Sequence, residues 1–343
     1  MPWLGIVGHD AQRDALWRAY QTNRLGHSYL FVGPEGIGKR HFALALAQAI
    51  SCETLARQIE AGKNPAPEPC ETCPTCVQIK AGTYQDLHQL ALPEDKQEFP
   101  IALMQEFIQT LAVKPARAGS RRVAIVDDAD VFSDEAANCF LKSLEEPPPD
   151  SLLILIGTAA ERQLPTIRSR CQVVTFQPLN QSDFVQAALA AGIVTDDKEA
   201  ANLFATAKGS LSKAELLKDQ ELLKVTTEIA KAFQSPKFAS VGFGMLLTKF
   251  VDGVKEGAAK RQRARFAVEF IVQLLQAALL QAETGVAGNG PHQAAIQRLA
   301  SLNNIEAVPQ LIEHALEAEY HIDRRFQLAL LLEAFADRLG REM

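Results

Sequence analysis

The sequence lacks several patterns that would assign it to a particular class of protein. It has no uninterrupted apolar run of about 18 residues, the length that spans a bilayer, and Met1-Pro2-Trp3 does not begin a basic and then apolar secretory signal. It has no excess of basic residues, since 35 Lys and Arg against 41 Asp and Glu leave a net charge of −6. We therefore expect a cytoplasmic protein without membrane contact, with any nucleic-acid contact confined to a local patch.

The composition is that of a globular protein, with 47% hydrophobic and 22% charged residues. A chain of 343 residues is long enough for about two or three domains. Up to about Leu179, short apolar runs alternate with helical patterns, which predicts an α/β domain with a parallel sheet. The predicted strands are 29–32, 86–90, 123–126, 152–157 and 173–176, and the predicted helices are 11–21, 42–51, 101–111 and 135–144.

Beyond Asn180 the strand patterns stop and the chain becomes helical. Residues 181–234 predict a small helical domain, Ser235-Pro236 a linker, and the remainder a second helical domain. The basic run 260–265, Lys-Arg-Gln-Arg-Ala-Arg, has two interpretations. It could contact DNA phosphates, or it could be the solvated face of an amphipathic helix, which is the commoner role of such runs.

A glycine-rich segment, 33–40, joins the first predicted strand to the following helix. It reads Gly-Pro-Glu-Gly-Ile-Gly-Lys-Arg and fits the phosphate-binding P-loop pattern GxxxxGK. Gly33, Gly36 and Gly38 would let backbone N–H groups face a phosphate, and Lys39 would reach the β- and γ-phosphates. The next position normally carries a hydroxyl that binds Mg²⁺, but here it is Arg40, which cannot ligate a cation.

Acidic residues follow the predicted strand 123–126. Asp127 and Asp128 stand where a P-loop protein has its Walker B acids. Asp127 would hold Mg²⁺ and Asp128 would polarise the attacking water, although Asp128 is one methylene shorter than the commoner glutamate. Acidic residues after a strand are common in turns, so they indicate a Walker B motif only in combination with the P-loop.

Four of the six cysteines predict a metal site. Cys70, Cys73 and Cys76 form two overlapping C-x2-C pairs, and Cys52 precedes them at the end of the P-loop helix. Four thiolates can surround zinc as a closed, structural site. Reduced thiols without a metal are the alternative, and redox chemistry is less favoured because it needs only two cysteines. The two other cysteines, 139 and 171, read as packing residues.

A specific resemblance appears in segment 133–148, SDEAANCFLKSLEEPP. It resembles the AANALLKTLEEPP signature of bacterial clamp-loader subunits, which are AAA+ proteins of DNA polymerase III. Segment 167–171, Ile-Arg-Ser-Arg-Cys, resembles the SRC motif of the same family. The openings 6–9 and 24–27 and the cysteine block followed by 77–82 are similar to further motifs. Within the family the chain resembles the delta-prime group, with the gamma/tau motor subunits as near relatives.

The resemblance implies a domain plan and two further site residues. It implies a P-loop AAA+ domain over 1–180 with a zinc module at 52–76, a helical lid over 181–235, and an all-α collar over 236–343 that joins subunits. Thr158 would be the sensor 1 residue. Arg170 would be an arginine finger that acts in trans on the ATP of a neighbouring subunit. The alternative is that Arg168 and Arg170 only form surface ion pairs.

Three departures separate this chain from an active motor: Arg40, Asp128, and Ser212 at the position of the sensor 2 arginine, beside Lys213. The favoured hypothesis is therefore a delta-prime subunit with little or no ATP hydrolysis of its own. With gamma/tau and delta in a hetero-pentamer, it would help open a sliding clamp and load it onto primer-template DNA. The retained Lys39 leaves ATP or ADP binding open, whereas the missing hydroxyl argues against Mg²⁺.

Two other hypotheses remain. A gamma/tau-type motor ATPase would use Lys39, Asp127 and Asp128 in catalysis. A free-standing P-loop kinase or NTPase would leave the SRC motif, the lid and the cysteine cluster unexplained.

Overall fold

The computed structural model describes residues 5–93, 96, 98–113, 115, 121–217, 220–255, 257–285, 292–302, 307–323 and 326–343. The chain divides into two compact units, 1–217 and 218–343. The predicted three-domain plan, with boundaries near residues 180 and 235, stays a prediction.

The first unit alternates strands and helices, as its apolar pattern predicts. Its strands are β1 (Ser28–Val32), β2 (Leu87–Leu90), β3 (Arg122–Val126), β4 (Ser151–Gly157) and β5 (Gln172–Thr175). Its helices are α1 (Asp10–Gln21), α2 (Lys39–Ser51), α3 (Glu53–Glu60), α4 (Pro74–Lys80), α5 (Ile101–Ala112), α6 (Asp134–Glu145), α7 (Pro165–Arg168), α8 (Gln181–Ala190), α9 (Asp197–Ala207) and α10 (Leu211–Leu217).

The five strands form one parallel sheet in the order β2-β3-β4-β1-β5. In register, Leu30 lies opposite Leu155 of β4 on one side and Val173 of β5 on the other. β1 is therefore flanked by strands far away in sequence, and the P-loop that follows it lies at the carboxyl edge, where parallel α/β sheets bind ligands. The predicted α/β fold, with a parallel sheet and a P-loop after its first strand, is confirmed.

Two hydrophobic layers enclose the sheet, because side chains of a strand alternate between its faces. Phe31 packs on one face with Phe42 of α2 and Phe176. Leu30 belongs to the other layer, with Phe140 of α6. Helices therefore cover both faces, which explains why the central strands read as continuous apolar runs rather than as alternating ones.

A buried ion pair joins β3 to the residue before β2. Arg122 Nη2 lies 3.3 Å from Asp86 Oδ1, and only 6% and 1% of these side chains are exposed. Arg122 Nη1 also donates to the carbonyl oxygens of Thr110, Leu111 and Val113 at the end of α5. The positive charge thus satisfies carbonyls that a helix leaves without intrahelical partners.

The second unit is helical, with α11 (Gln220–Gln234), α12 (Ser240–Asp252), α13 (Gly257–Thr284), α14 (Gln293–Ala300), α15 (Ala307–Asp323) and α16 (Leu328–Glu342). In α13, the stretch Ala259–Thr284 is long and apolar enough to cross a membrane by length and composition, a test that core helices also pass. One of its faces, including Val268, Ile271 and Leu275, is fully buried within the unit. It packs against α14 and α15, which accounts for the apolar composition.

Candidate functional site

The P-loop occupies the turn between β1 and α2, as predicted. Gly33, Gly36 and Gly38 have φ values of 152°, 73° and 96°, which side-chain-bearing residues rarely adopt. A Cβ at Gly33 would lie 2.3 Å from the carbonyl oxygen of Phe176, so glycine is also required there by close approach. The backbone thus has the glycine-dependent shape of a phosphate-binding loop.

The Lys39 ammonium group is turned back onto this loop. It donates to the carbonyl oxygens of Gly33 at 2.5 Å and Pro34 at 2.6 Å, and Lys39 is only 7% exposed. Burial lowers the pKa of Lys39, and the nearby carboxylates of Glu35 and Asp127 partly offset this. A phosphate would have to replace the carbonyl oxygens as the partner of this cation, which the donor chemistry of an ammonium group permits.

Arg40 lies beside the predicted Walker B acid. Its Nη1 is 3.8 Å from Asp127 Oδ2, and its Nη2 donates to Gln89 Oε1 at 3.4 Å. The guanidinium therefore supplies the positive charge next to Asp127 that Mg²⁺ supplies in an active P-loop enzyme. A second cation there would face Arg40 and would lack the hydroxyl ligand, so these residues do not fit Mg²⁺.

Asp128 follows in a left-handed conformation, with φ of 55°. Its N–H donates to Asp127 Oδ1 at 3.2 Å, which turns the chain at the end of β3. Desolvation raises the pKa of Asp128 to about 6, with further contributions from Asp127, Glu35 and Asp130. The two Walker B candidates therefore lie together, within a cluster of negative charge.

Thr158 comes directly after β4, where the sensor 1 residue was predicted. Its N–H and its hydroxyl both donate to Asp130 Oδ2 at 2.6 Å, and Gln163 Nε2 donates to the other carboxylate oxygen. A hydroxyl has one proton to donate, so Asp130 takes the one that a γ-phosphate would receive. Sequence reasoning missed Asp130, although its place three residues past Asp127 was a usable signal.

The start of α10 and the residue before it contact the P-loop within the first unit. Ser210 Oγ donates to the carbonyl oxygen of Glu35 at 3.1 Å, and the N–H groups of Leu211 and Ser212 share the carbonyl oxygen of Gly36 at 3.0 and 3.4 Å. A Cβ at Gly36 would lie 2.4 Å from Ser210 Oγ. The predicted sensor 2 position, Ser212, is therefore next to the loop, but it contributes a backbone N–H rather than a cationic side chain.

The Arg170 guanidinium is held by its own chain. Nε donates to Glu145 Oε1 at 2.8 Å, Nη2 donates to the same oxygen, and Nη1 donates to the carbonyl oxygen of Thr166 at 2.9 Å and to Ser169 Oγ at 3.2 Å. The side chain is still 32% exposed. An ion pair of this kind agrees with the surface-pair interpretation, and the exposure leaves a role in trans open.

The four predicted metal ligands converge. The Sγ atoms of Cys52, Cys70, Cys73 and Cys76 all lie within 4.8 Å of one another, and those of Cys52 and Cys70 are 3.6 Å apart. Zinc–sulfur bonds of about 2.3 Å in a tetrahedron place sulfurs about 3.8 Å apart, so this cluster fits such an ion. The cysteines can therefore hold a metal ion, with no position left open for a substrate.

Hydrogen bonds favour the thiolate form of Cys70 within the cluster. Burial raises the pKa of Cys70, but bonds from the Thr54 hydroxyl and from the backbone of Thr72 and Cys73 outweigh it and lower that pKa to about 5. Burial and the neighbouring thiols raise the pKa of Cys76. Four adjacent thiolates repel one another, and a divalent cation would remove that repulsion.

Cys171 and the basic run 260–265 remain to be placed among the described residues. Burial raises the pKa of Cys171 to about 12, as expected for a packing thiol. In the basic run, Lys260 pairs with Asp252 at 2.6 Å and Arg263 with Glu221 at 2.7 Å. Two cations of the run therefore have acidic partners within their own unit.

The sequence matches a known protein family over its amino-terminal half. The model of the family described as "DNA polymerase III, delta subunit" matches residues 8–180, half of the chain. The chain belongs to this family. The matched range includes the whole P-loop, the cysteine cluster and the SRC segment.

Individual relatives agree with this assignment. DNA polymerase III subunit delta' of Bacillus subtilis is 37% identical over 167 residues, 48% of this chain and 46% of that protein. The Pseudomonas aeruginosa subunit delta' is 35% identical over 161 residues, 45% of this chain and 46% of that protein. The Escherichia coli subunit tau is 29% identical over 222 residues, 63% of this chain and 32% of that protein. The chain thus spans about half the length of the delta' relatives it matches.

Proposed function

We propose that this protein is a delta-prime-type subunit of a bacterial clamp loader and works in DNA replication in the cytoplasm. It would assemble with gamma/tau and delta subunits and help to load a sliding clamp onto primer-template DNA. Its own contribution to ATP hydrolysis would be small, and it would supply Arg170 to the nucleotide of a neighbouring motor. Membership of the family and similarity to delta' subunits support this role.

The observation that carries the proposal is the ion pair of Arg40 with Asp127. Hydrolysis in P-loop proteins relies on Mg²⁺ held by the loop hydroxyl and the Walker B acid. Here a guanidinium replaces the first ligand and partly neutralises the second. The hydroxyl of Thr158 is also used by Asp130. A subunit with these substitutions keeps the shape of the nucleotide site and loses the groups that drive its chemistry.

Arg170 would act across a subunit interface. An arginine finger stabilises the charge that develops on the transferred phosphoryl group, and it needs no nucleotide on its own subunit. Buried Ile167 and Cys171 anchor the segment on either side, while the guanidinium stays partly exposed. A fixed backbone with an accessible arginine is the arrangement that such a role requires.

The metal we propose for the cysteine cluster is zinc. An all-sulfur, four-coordinate cluster is the usual structural zinc site, and the Cys73-to-Cys76 turn supplies N–H groups to its sulfurs. The ion would tie the end of α2 to the start of α4. Its expected role is stability of the first unit, with no part in the reaction.

A motor ATPase of gamma/tau type is the second candidate, and the complete P-loop with a buried Lys39 favours it. ATP binding and steady-state hydrolysis by the purified chain, with and without Mg²⁺, separate the two. We expect no hydrolysis, with at most weak binding. Magnesium-dependent turnover that Lys39→Ala abolishes would instead make the chain a motor.

Arg170→Ala in the reconstituted clamp loader tests the trans role. We expect normal assembly, slower clamp loading and slower ATP hydrolysis, since an arginine finger raises the rate on the order of 10³-fold or more at the nucleotide that it contacts. Arg168→Ala is the matched control, because it removes an exposed positive charge two residues away. Equal rates for wild type and Arg170→Ala would show that the arginine does not act in trans.

A further inference from the structure

Glu145 is the last residue of α6 and lies 25 residues before Arg170 in the chain. α6 and α7 pack together, which brings the carboxylate to the segment that carries the arginine. Both residues are partly exposed, at 50% for Glu145 and 32% for Arg170. The Glu145–Arg170 pair cannot be predicted from residue types or from their spacing in the sequence, because the tertiary fold brings the two side chains together.

The guanidinium has five N–H groups, and four of them are engaged by the chain itself. Nη1 uses both of its protons on Thr166 and Ser169, which are neutral partners one turn or less away. Nε and one proton of Nη2 go to Oε1 of Glu145. A single N–H remains, and it is on Nη2. Glu145 is therefore the one anion among the partners of Arg170 in the described residues.

A guanidinium binds a phosphate most strongly in the bidentate mode, with two parallel N–H donors. In this structure the edge formed by Nε and Nη2 is the one that could provide them, and Glu145 covers it. Resting on the trans role of Arg170 proposed above, we propose that Glu145 is a latch that holds Arg170 in the free subunit. The phosphate of the neighbouring nucleotide must displace this carboxylate before the arginine can engage.

The latch gives the arginine a way to distinguish nucleotide states. Glu145 carries one negative charge, whereas a terminal γ-phosphate carries more and offers several acceptor oxygens. ATP on the neighbour is thus the stronger competitor for the guanidinium. After hydrolysis and loss of phosphate the competitor is gone, and Arg170 returns to Glu145. Exchange of one anion for another keeps the arginine neutralised in both states.

The test is ATP hydrolysis by the reconstituted clamp loader with the full chain as wild type, Glu145→Gln, Glu146→Gln, Arg170→Ala and the Glu145→Gln/Arg170→Ala double variant. Exposed ion pairs shift an equilibrium by no more than about fivefold. Glu145→Gln should lower the KM for ATP by about two- to fivefold without lowering kcat. The effect should shrink as salt is raised, because exposed charges are screened. Glu146→Gln, an exposed neighbour in the same motif, should match wild type.

The double variant provides the decisive comparison. If Glu145 acts through Arg170, its substitution has no effect once Arg170 is alanine. A loss of kcat in Glu145→Gln would make Glu145 a positioning residue and overturn the latch, as would a KM equal to that of Glu146→Gln. If Arg170→Ala hydrolyses ATP at the wild-type rate, the proposed trans role of Arg170 is wrong. The latch, which rests on that role, is then wrong as well.

A measurement on the isolated chain keeps these failures apart. The Nε–H of Arg170, observed by ¹⁵N NMR, should exchange with water about two- to fivefold faster in Glu145→Gln than in Glu146→Gln. Equal exchange rates would show that the ion pair does not hold the arginine in solution. That result would overturn the latch while leaving the proposed trans role of Arg170 intact.

Discussion

Replacing Arg122 by leucine tests whether the buried ion pair with Asp86 holds the first unit together. The substitution removes the Arg122 guanidinium from Asp86, which is 1% exposed, and removes the donor to three carbonyl oxygens at the end of α5. Breaking a buried pair by removing one partner costs about 3–5 kcal/mol. For a unit the size of residues 1–217, each kcal/mol lowers Tm by about 2–4 °C, so the expected drop is about 6–20 °C.

Arg121→Leu is the matched control, since it removes the same side chain one position earlier. Arg121 is partly exposed, and its guanidinium carbon lies 6.0 Å from the ring centroid of Tyr20. Such a contact is worth about 0.5–1 kcal/mol, so Tm should fall by no more than about 4 °C.

Differential scanning fluorimetry on the full chain measures both variants, and Asp86→Leu together with Asp86→Leu/Arg122→Leu completes a double-mutant cycle with Arg122→Leu. The double variant should be less destabilised than the sum of the single changes, because no charge is then left alone. Equal Tm values for Arg122→Leu and Arg121→Leu would refute the reasoning, since the ion pair would then contribute no more than a surface contact.

Three further predictions concern the candidate sites. Cys76→Ser should lose the bound metal, measured by elemental analysis, and should lower the unfolding temperature of the first unit. Cys139→Ser should retain the metal and the wild-type unfolding temperature. Retention of metal by Cys76→Ser would contradict a metal site at the cysteine cluster. Gly36→Ala should destabilise the chain to urea more than Gly38→Ala, because both positions have positive φ but only a Cβ at Gly36 meets Ser210. Asp128 has a pKa raised to about 6, so its native form binds a proton more tightly than the unfolded form. The stability that Asp128 contributes is present below about pH 4 and is lost as the pH rises through 6. The unfolding free energy of Asp128→Asn minus that of wild type should therefore increase from pH 4 to pH 6. A difference that stays constant over this range would count against the raised pKa.

Much of the fold was predictable because its signals are local. Apolar runs of strand length, helical periodicity and the glycine loop identified five strands and placed the P-loop between β1 and α2. Cysteine spacing identified the cluster, since three of its ligands lie within seven residues and Cys52 ends the P-loop helix. These patterns follow from the chain alone, because the residues that produce them are neighbours in sequence or share one face of a single element.

The side-chain partners of the site residues could not be predicted from the sequence, because the tertiary structure brings them together. Arg121 and Arg122 are equivalent in the sequence, yet one contacts the ring of Tyr20 and the other is buried against Asp86. Thr158 meets Asp130 across 28 residues, and Ser210 reaches the carbonyl of Glu35 across 175.

The sequence by itself therefore determined the α/β fold, the glycine-dependent shape of the P-loop and which four cysteines come together. Only the tertiary structure decided that Arg40 pairs with Asp127 and that Glu145 holds Arg170. The physical reason is the parallel sheet and its helical crossovers, which bring distant segments side by side at one edge. A sequence pattern within one segment predicts which face of that segment is apolar. It does not predict which charged side chain of another segment lies opposite.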